Sequence, residues 1–303
     1  MRITAFGEIL WDNLPSGKVL GGAPLNVMVR MAQLGAQASI ISACGNDNDG
    51  KALCAKVAEQ RVYIDLIQRN NLPTSLVNVH LDAKGSATYD IVYPCAWDNI
   101  MPTQSALDEV KQADAFVFGS LASRDERSFQ TLKALLAHAE YKIFDVNLRT
   151  PHYNYETLRY LMSEANLIKL NDEELFEITS EMGCKKRSLE QNIQFLSDKA
   201  SGAKICVTLG AHGAVFYDTD EECFSYCAGY RVDVVDTVGA GDNFFGAFLW
   251  KYLQEPNGVE SALEFGCAVG AMVAGQAGAT PKISRQEIEQ FMEVGIELFD
   301  EDE

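Results

Sequence analysis

The regular succession of short apolar runs and helical patterns constrains this chain more than any other feature. Apolar runs occur at residues 3–6, 38–44, 115–119, 142–146, 167–170, 204–209 and 214–217. Most alternate with stretches whose apolar residues recur at helical spacing, as at 24–34, 51–60, 126–138, 173–181 and 189–199. Strands alternating with amphipathic helices imply a largely parallel sheet covered on both faces, hence an α/β protein. Ligands of such folds bind at the carboxyl ends of the strands. At 303 residues and 47% hydrophobic content, the chain can bury a large core. No internal repeat or low-complexity linker divides it, so a single domain over 1–303 is expected.

Residues 72–97 break this rhythm. The segments 75–81 and 86–93 alternate in period two, joined by 82–85, which is a hairpin pattern rather than a βα unit. A lone hairpin is marginal in water and needs something to cover, such as an active site or a partner subunit. Residues 14–20 could supply another strand. A small β lid built from about 14–20 and 72–97 is therefore expected, and its exposed edges suggest a homodimer.

The net charge of −18 and the acidic tail at 297–303 repel nucleic acid and anionic membrane surfaces. An anionic substrate would then depend on a local device such as a glycine loop or a metal ion. The eight cysteines show no CxxC and no zinc spacing. Cys223 and Cys227 read as one buried strand face rather than a metal pair. Free cysteines and an N-terminus without a signal-peptide pattern point to the cytoplasm. The longest uncharged run, 265–281, has 17 residues and four glycines. It is too short and too weakly apolar to span a bilayer, and reads as a buried helix.

Chemistry concentrates at 236–248, DTVGAGDNFFGAF. Residues 230–235 read as a strand before it, and 243–253 as a helix after it. Gly239, Ala240 and Gly241 let backbone N–H groups converge where the helix begins, a ready anion site. Asp242 sits where an anion would bind, and the helix dipole would keep it ionised. Phosphate held by backbone with a base beside it is an arrangement for phosphoryl transfer. The plainer alternative is a capped strand-to-helix turn.

Four other stretches stand at strand ends or turns. Asp12 follows the first strand, and Gly21 and Gly22 precede Pro24 and Asn26 at the start of the first long helix. The paired glycines admit a flat polar ligand, and Asp12 and Asn26 could bond neighbouring hydroxyls. A turn role for Asp12 and a helix-start role for Asn26 remain open. Asp145-Val-Asn147-Leu-Arg149 ends a buried strand, and a surface ion pair is the alternative for Arg149. Asn171 and Glu174 have capping-box spacing. Thr208-Leu-Gly210-Ala-His-Gly213 is a tight turn between strands. The near-P-loop at 45–52 is a decoy, since Ala52 has no hydroxyl and Asp47 and Asp49 would repel phosphate.

The 236–248 segment resembles the C-terminal signature of the ribokinase-like, PfkB-type carbohydrate kinases. GG-x-P-x-N at 21–26, followed by Gly35 and Gly45, resembles their N-terminal signature, although Met28 stands where a small residue is usual. The stretch 7–27 is similar to the fructokinase branch. The resemblance covers residues 7–281 and implies a ribokinase-like three-layer α/β/α fold and ATP-dependent phosphorylation of a sugar, D-fructose first. Ribose, 2-keto-3-deoxygluconate, or a catalytically silent sugar-responsive binding protein are the alternatives.

By this resemblance Asp242 is the base, and the N–H groups of 239–242 stabilise the transferring phosphoryl. Asp12, Gly21, Gly22 and Asn26 bind sugar hydroxyls, while Asn147 and Arg149 face sugar or phosphate. Asn171 and Glu174 order Mg²⁺ and its waters near the phosphates. Thr208, Gly210 and Gly213 contact the nucleotide, and residues 266–278 flank adenine with Cys267 as a contact. Asp236 and the loop after Gly278 resemble a K⁺ site, although Val238 replaces the usual Thr.

Overall fold

Strands that are apolar on both faces make the centre of the molecule. A computed structural model describes residues 1–14, 17–81 and 87–300. The chain opens with strands β1 (Arg2–Phe6), β2 (Leu10–Leu14) and β3 (Gly17–Gly21). Helix α1 (Ala23–Gln33), β4 (Gln37–Gly45), α2 (Asn48–Glu59), β5 (Ile67–Asn70), β6 (Leu76–Leu81) and β7 (Ala87–Ile91) follow. The middle comprises α3 (Gln104–Gln112), β8 (Ala115–Gly119), α4 (Glu126–Leu136), β9 (Lys142–Asp145), α5 (Tyr155–Glu164), β10 (Leu167–Asn171), α6 (Asp172–Glu181) and α7 (Leu189–Lys199). Last come β11 (Lys204–Thr208), β12 (Ala214–Asp218), β13 (Cys223–Cys227), α8 (Ala240–Tyr252), α9 (Val259–Ala274) and α10 (Arg285–Asp300).

The main sheet has the order β13-β12-β11-β10-β9-β8-β1-β4-β5. It is parallel from β11 to β5, with β12 and β13 antiparallel at one edge. Successive side chains of a strand point to opposite faces, so each strand feeds two cores. Ile3 and Ala5 join the core beneath α1, α2, α8 and α9, whereas Phe6 joins the one beneath α3 to α7. The result is three layers, α/β/α, as expected from the alternating pattern.

A smaller sheet, β3-β2-β6-β7, is antiparallel at its outer pairs and parallel between β2 and β6. It is joined to the main body where Trp11 Nε1 donates to Asp49 O (3.1 Å) and Lys18 pairs with Asp49 (2.7 Å). The expected hairpin at 75–93 is β6 and β7, and its proposed turn at 82–85 lies outside the described residues. The stretch 14–20 is not one strand. It spans a second hairpin, β2 and β3, with residues 15–16 outside the described residues. Asp12 consequently belongs to the small sheet rather than to the end of the first strand.

Two further expectations need correction. Residues 230–235 form no strand and pair with neither edge of the sheet. Val235 and Asp236 instead donate their N–H groups to Ala274 O at the end of α9 (2.8 and 3.1 Å), leaving Val234 and Val235 exposed. Cys223 is exposed on its edge strand, so the face it shares with Cys227 is not a buried one. Helix α10 runs into the acidic tail as far as Asp300, with 301–303 outside the described residues.

Helices α1 and α8 pack closely through Gly246, where a Cβ would lie 2.9 Å from both Val27 O and Arg30 Cβ. Replacing a mid-helix Gly by Ala gains about 1 kcal/mol of helix propensity, whereas forcing apart a packed interface costs about 1–3 kcal/mol. A backbone oxygen cannot swing aside, so the clash decides the sign. Gly246→Ala is expected to lower thermal stability by about 1–2 kcal/mol, read by a melting curve against the parent.

Candidate active site

The site is built around the start of α8. Gly239 occupies the left-handed region (φ 75°), and a Cβ there would strike the backbone of Ala279. The buried Asn243 clamps this turn, its Nδ2 donating to Gly239 O (2.7 Å) and Ala279 O (2.6 Å). Arg30 Nε donates to Asn243 Oδ1 (2.9 Å), and its Nη2 donates to Pro281 O (3.0 Å). Of the N–H groups at 239–242, that of Ala240 is taken by Thr237 O (3.2 Å). Those of Gly241 and Asp242 are first-turn donors with no intrahelical acceptor, which suits an anion.

Gly239, Gly241 and Asp242 line a cavity of about 720 Å³ at the carboxyl ends of the parallel strands. Asp242 accepts from Asn26 Nδ2 (2.9 Å), tying α8 to α1. The helix dipole does not dominate its ionisation, contrary to the reading from sequence. Burial, then the nearby Asp145, push the Asp242 carboxyl up to about 6, against the opposing influence of Lys169, Asn26 and Arg149. Desolvation outweighs the partial charge of one helix end. The carboxyl is thereby a better base than an exposed aspartate.

The cavity also gathers Asp12, Gly22, Asn26, Asn147 and Arg149. Gly21 is not part of its wall, but a Cβ there would collide with Asp12 Oδ2. Its missing side chain makes room for that carboxylate. Burial raises Asp12 to about 6, with Arg149 opposing. Asn147 takes a left-handed conformation (φ 42°), which Asn tolerates better than most residues. Among the described residues Arg149 forms no ion pair; it is exposed, and its Nη1 bonds Leu148 O (2.9 Å).

Asn171 and Glu174 do form the capping box: Glu174 N–H donates to Asn171 Oδ1 (2.8 Å), and Glu174 Oε2 accepts from Asn171 N–H (2.9 Å). Glu174 Oε1 accepts from Leu148 N–H (2.8 Å), which holds the Asn147–Arg149 turn against α6. Thr208 reaches the cavity wall; Gly210 and Gly213 do not, and instead turn the chain from β11 into β12. Cys267 also lies off the wall, buried on α9 within the core that includes Cys206, with Cys227 packed against that core. Asp236 accepts from the N–H groups of Val238 (3.0 Å) and Gly278 (3.2 Å), which brings it to the loop after α9.

Three site residues escaped the sequence reading. Glu8 and Lys169 line the cavity, and Asp145 bonds Lys169 Nζ (3.0 Å) beside it. Burial pushes Glu8 up to about 7. Asp145 opens the motif at 145–149, and Glu8 and Lys169 lie near the ends of β1 and β10, but nothing in linear spacing marks which strand-end side chains turn inward.

The sequence model of the pfkB family carbohydrate kinases matches residues 16–286. The chain belongs to that family. Fructokinase-2 of Solanum habrochaites is 28% identical over 93% of this chain and 92% of its own length. A crystal structure of a fructokinase with bound ATP from Xylella fastidiosa superposes with a TM-score of 0.82 at 26% identity. It covers 97% of this kinase and 98% of its own chain. A putative ribokinase II from E. coli, at 20% identity, shares the fold with a TM-score of 0.83 over 97% and 99% of the two chains. The fold is therefore ribokinase-like, and the kinase carries the family's small sheet as a lid.

No group of three or more metal-ligating side chains occurs among the described residues. Both Glu174 oxygens already accept backbone N–H groups, which leaves second lone pairs for a water rather than a free carboxylate for a metal. That donor set fits Mg²⁺, which keeps waters and leans on substrate phosphates.

Because the folded protein raises Asp242 above the unfolded value of 3.8, it holds that proton more tightly than the unfolded chain. Ionising it therefore weakens the fold as pH rises through about 6. Asp242→Asn keeps a partner for Asn26 and removes the charge. It is expected to be more stable than the parent at about pH 8, by up to ~3 kcal/mol for two pK units, with the difference vanishing near pH 4. Melting curves at the two pH values check this, and equal stability at the higher pH contradicts it.

Proposed function

We propose that this kinase transfers the γ-phosphoryl group of ATP to a hydroxyl of D-fructose. One observation carries the sugar-kinase reading: the half-buried Asp242 carboxylate, bonded to Asn26, sits beside hydrogen-bonding atoms that lack partners. Glu8 Oε2, Asn26 Oδ1 and Asp145 Oδ2 are buried without a hydrogen-bond partner. Each such atom costs about 1–3 kcal/mol when left unpaired, and Glu8 and Asn26 line the cavity, so a ligand rich in hydroxyl donors suits this wall. The similarity to fructokinases of plants and of Xylella fastidiosa supports fructose as the first substrate.

In this reading Asp12, Gly22, Asn26, Asn147 and Arg149 orient the sugar, and Gly21 makes room for the Asp12 carboxylate. The sugar oxygen forms a bond to the γ-phosphorus while the bond to the leaving ADP oxygen breaks. The hydroxyl proton passes to Asp242. Gly241 and Asp242 N–H groups, with Gly239 and Ala240 shaping their turn, stabilise charge on the transferring group. A loose transition state lets proton removal come late, so a base raised to about 6 suffices. Thr208, Asn171 and Glu174 lie on the nucleotide side, with Gly210 and Gly213 behind them. Mg²⁺, when bound with ATP, would neutralise phosphate charge, and Glu174 would orient its waters. K⁺ would sit between Asp236 and the loop after Gly278. Leu10, Val77 and Ile91 of the small sheet line the cavity and would exclude water, which limits wasteful hydrolysis.

ADP release with Mg-ATP across fructose, ribose and 2-keto-3-deoxygluconate tests this reading. Turnover is expected with fructose, lost by about 10³-fold in Asp242→Asn as for a general base. Turnover confined to the acidic sugar would reassign the substrate, a role for which the exposed Arg149 is suited. Silence on every sugar, with ATP still bound, would favour a sugar-responsive binding protein.

A further inference from the structure

A lysine in the middle of a fully buried strand is costly. Leu167, Ile168 and Leu170 of β10 are wholly inaccessible, and Lys169 between them is only 6% exposed. Burying an ammonium costs several kcal/mol unless its surroundings compensate. Here Asp145, its register partner on β9, accepts from Nζ at 3.0 Å, and the Phe245 ring lies 5.8 Å away. A structural need alone would be met by an apolar pair of similar volume, which is often as stable as a buried ion pair.

The position of the ammonium supplies another reason. A Cβ built on Gly241 would meet one atom within 4 Å, Lys169 Nζ at 3.8 Å. The lysine therefore lies directly against the glycine whose N–H is a free donor at the start of α8. Among the described residues lining the cavity, the cations are Lys169 and Arg149, and Arg149 is exposed. Lys169 is the buried one, where low dielectric strengthens its field. Four carboxylic residues, Glu8, Asp12, Glu174 and Asp242, share that wall and would oppose an incoming triphosphate.

Resting on the kinase reading above, we propose that Lys169 is a further catalytic residue, its ammonium facing the transferring phosphoryl group beside Gly241. It keeps its proton throughout: the sugar proton goes to Asp242, and the electron pair of the broken P–O bond leaves with ADP. Lys169 contributes charge that is worth most when the phosphoryl is in flight. Asp145, Glu174 and Asp242 hold the ammonium protonated against the pull of burial, so it stays a cation across neutral pH.

Lys169→Met alone would leave Asp145 as a buried unpaired charge and could unfold the protein. The comparison is therefore Lys169→Met/Asp145→Asn against Asp145→Asn, both checked by melting curves. With the accepted sugar, the double variant is expected to lose about 10²-fold or more in kcat, while KM for the sugar changes by only a few-fold. Binding of ADP with Mg²⁺ and aluminium fluoride, a mimic of the transferring phosphoryl, should weaken by a similar factor while binding of ADP alone is kept. Equal kcat and equal binding of the mimic in the two folded variants would overturn the proposal. If the unaltered protein phosphorylates no sugar, the kinase reading fails on its own, and the fluoride comparison still decides for or against Lys169.

Discussion

The clamp of Arg30 and Asn243 on the Gly239 turn is the interaction on which the site depends. Asn243 holds two backbone oxygens, Gly239 O and Ala279 O, and Arg30 holds Asn243 in turn. Gly239 must stay left-handed for the first-turn N–H groups to face the cavity. Arg30 carries a buried guanidinium with no carboxylate partner among the described residues, and burial lowers it to about 10. It remains a cation at neutral pH and spends its donors on carbonyls of the chain after α9. Helices α1 and α8 and the segment 279–283 are thereby fixed to one another, and Asn26 ties Asp242 to α1.

The charges around the cavity work against folding and toward chemistry. Asp242, Asp12 and Glu8 are all pushed upward by burial, and Lys169 must be balanced by Asp145 and its neighbours. Unpartnered oxygens on Glu8, Asn26 and Asp145 add to this cost. Natural proteins hold such arrangements where function needs them, with the loss offset by the rest of the core. Two extensive apolar clusters on the two sides of the main sheet provide that offset here.

Much of this was legible in the sequence because periodicity is a local property. The alternation of runs fixed the parallel sheet, and the helix at 189–199 matches α7 residue for residue. Gly239 announced the tight turn into α8, since few other residues permit its left-handed backbone. Residues 230–235 misled because β propensity does not name the partner of the backbone, which here includes the end of α9 rather than a strand. Cys267 misled because small residues in a helix signal close packing without naming the neighbour, which here is protein core. Glu8 and Lys169 were invisible as site residues because the side-chain direction at a strand end depends on register and on what α8 places opposite. The influence of burial on Asp242 likewise belongs to the folded state alone.

The central claim is that a half-buried carboxylate raised by its surroundings takes the proton from the sugar. The dependence of kcat/KM for fructose on pH tests it most directly. Desolvation and Asp145 raise Asp242, while Lys169, Asn26 and Arg149 oppose them, and the balance stands at about 6. The rate is expected to fall tenfold per pH unit below a midpoint near 6. Above it the rate should be level, and the residual activity of Asp242→Asn should lack that limb. A rate that stays level well below this midpoint, or the same acid limb in both proteins, would contradict the account.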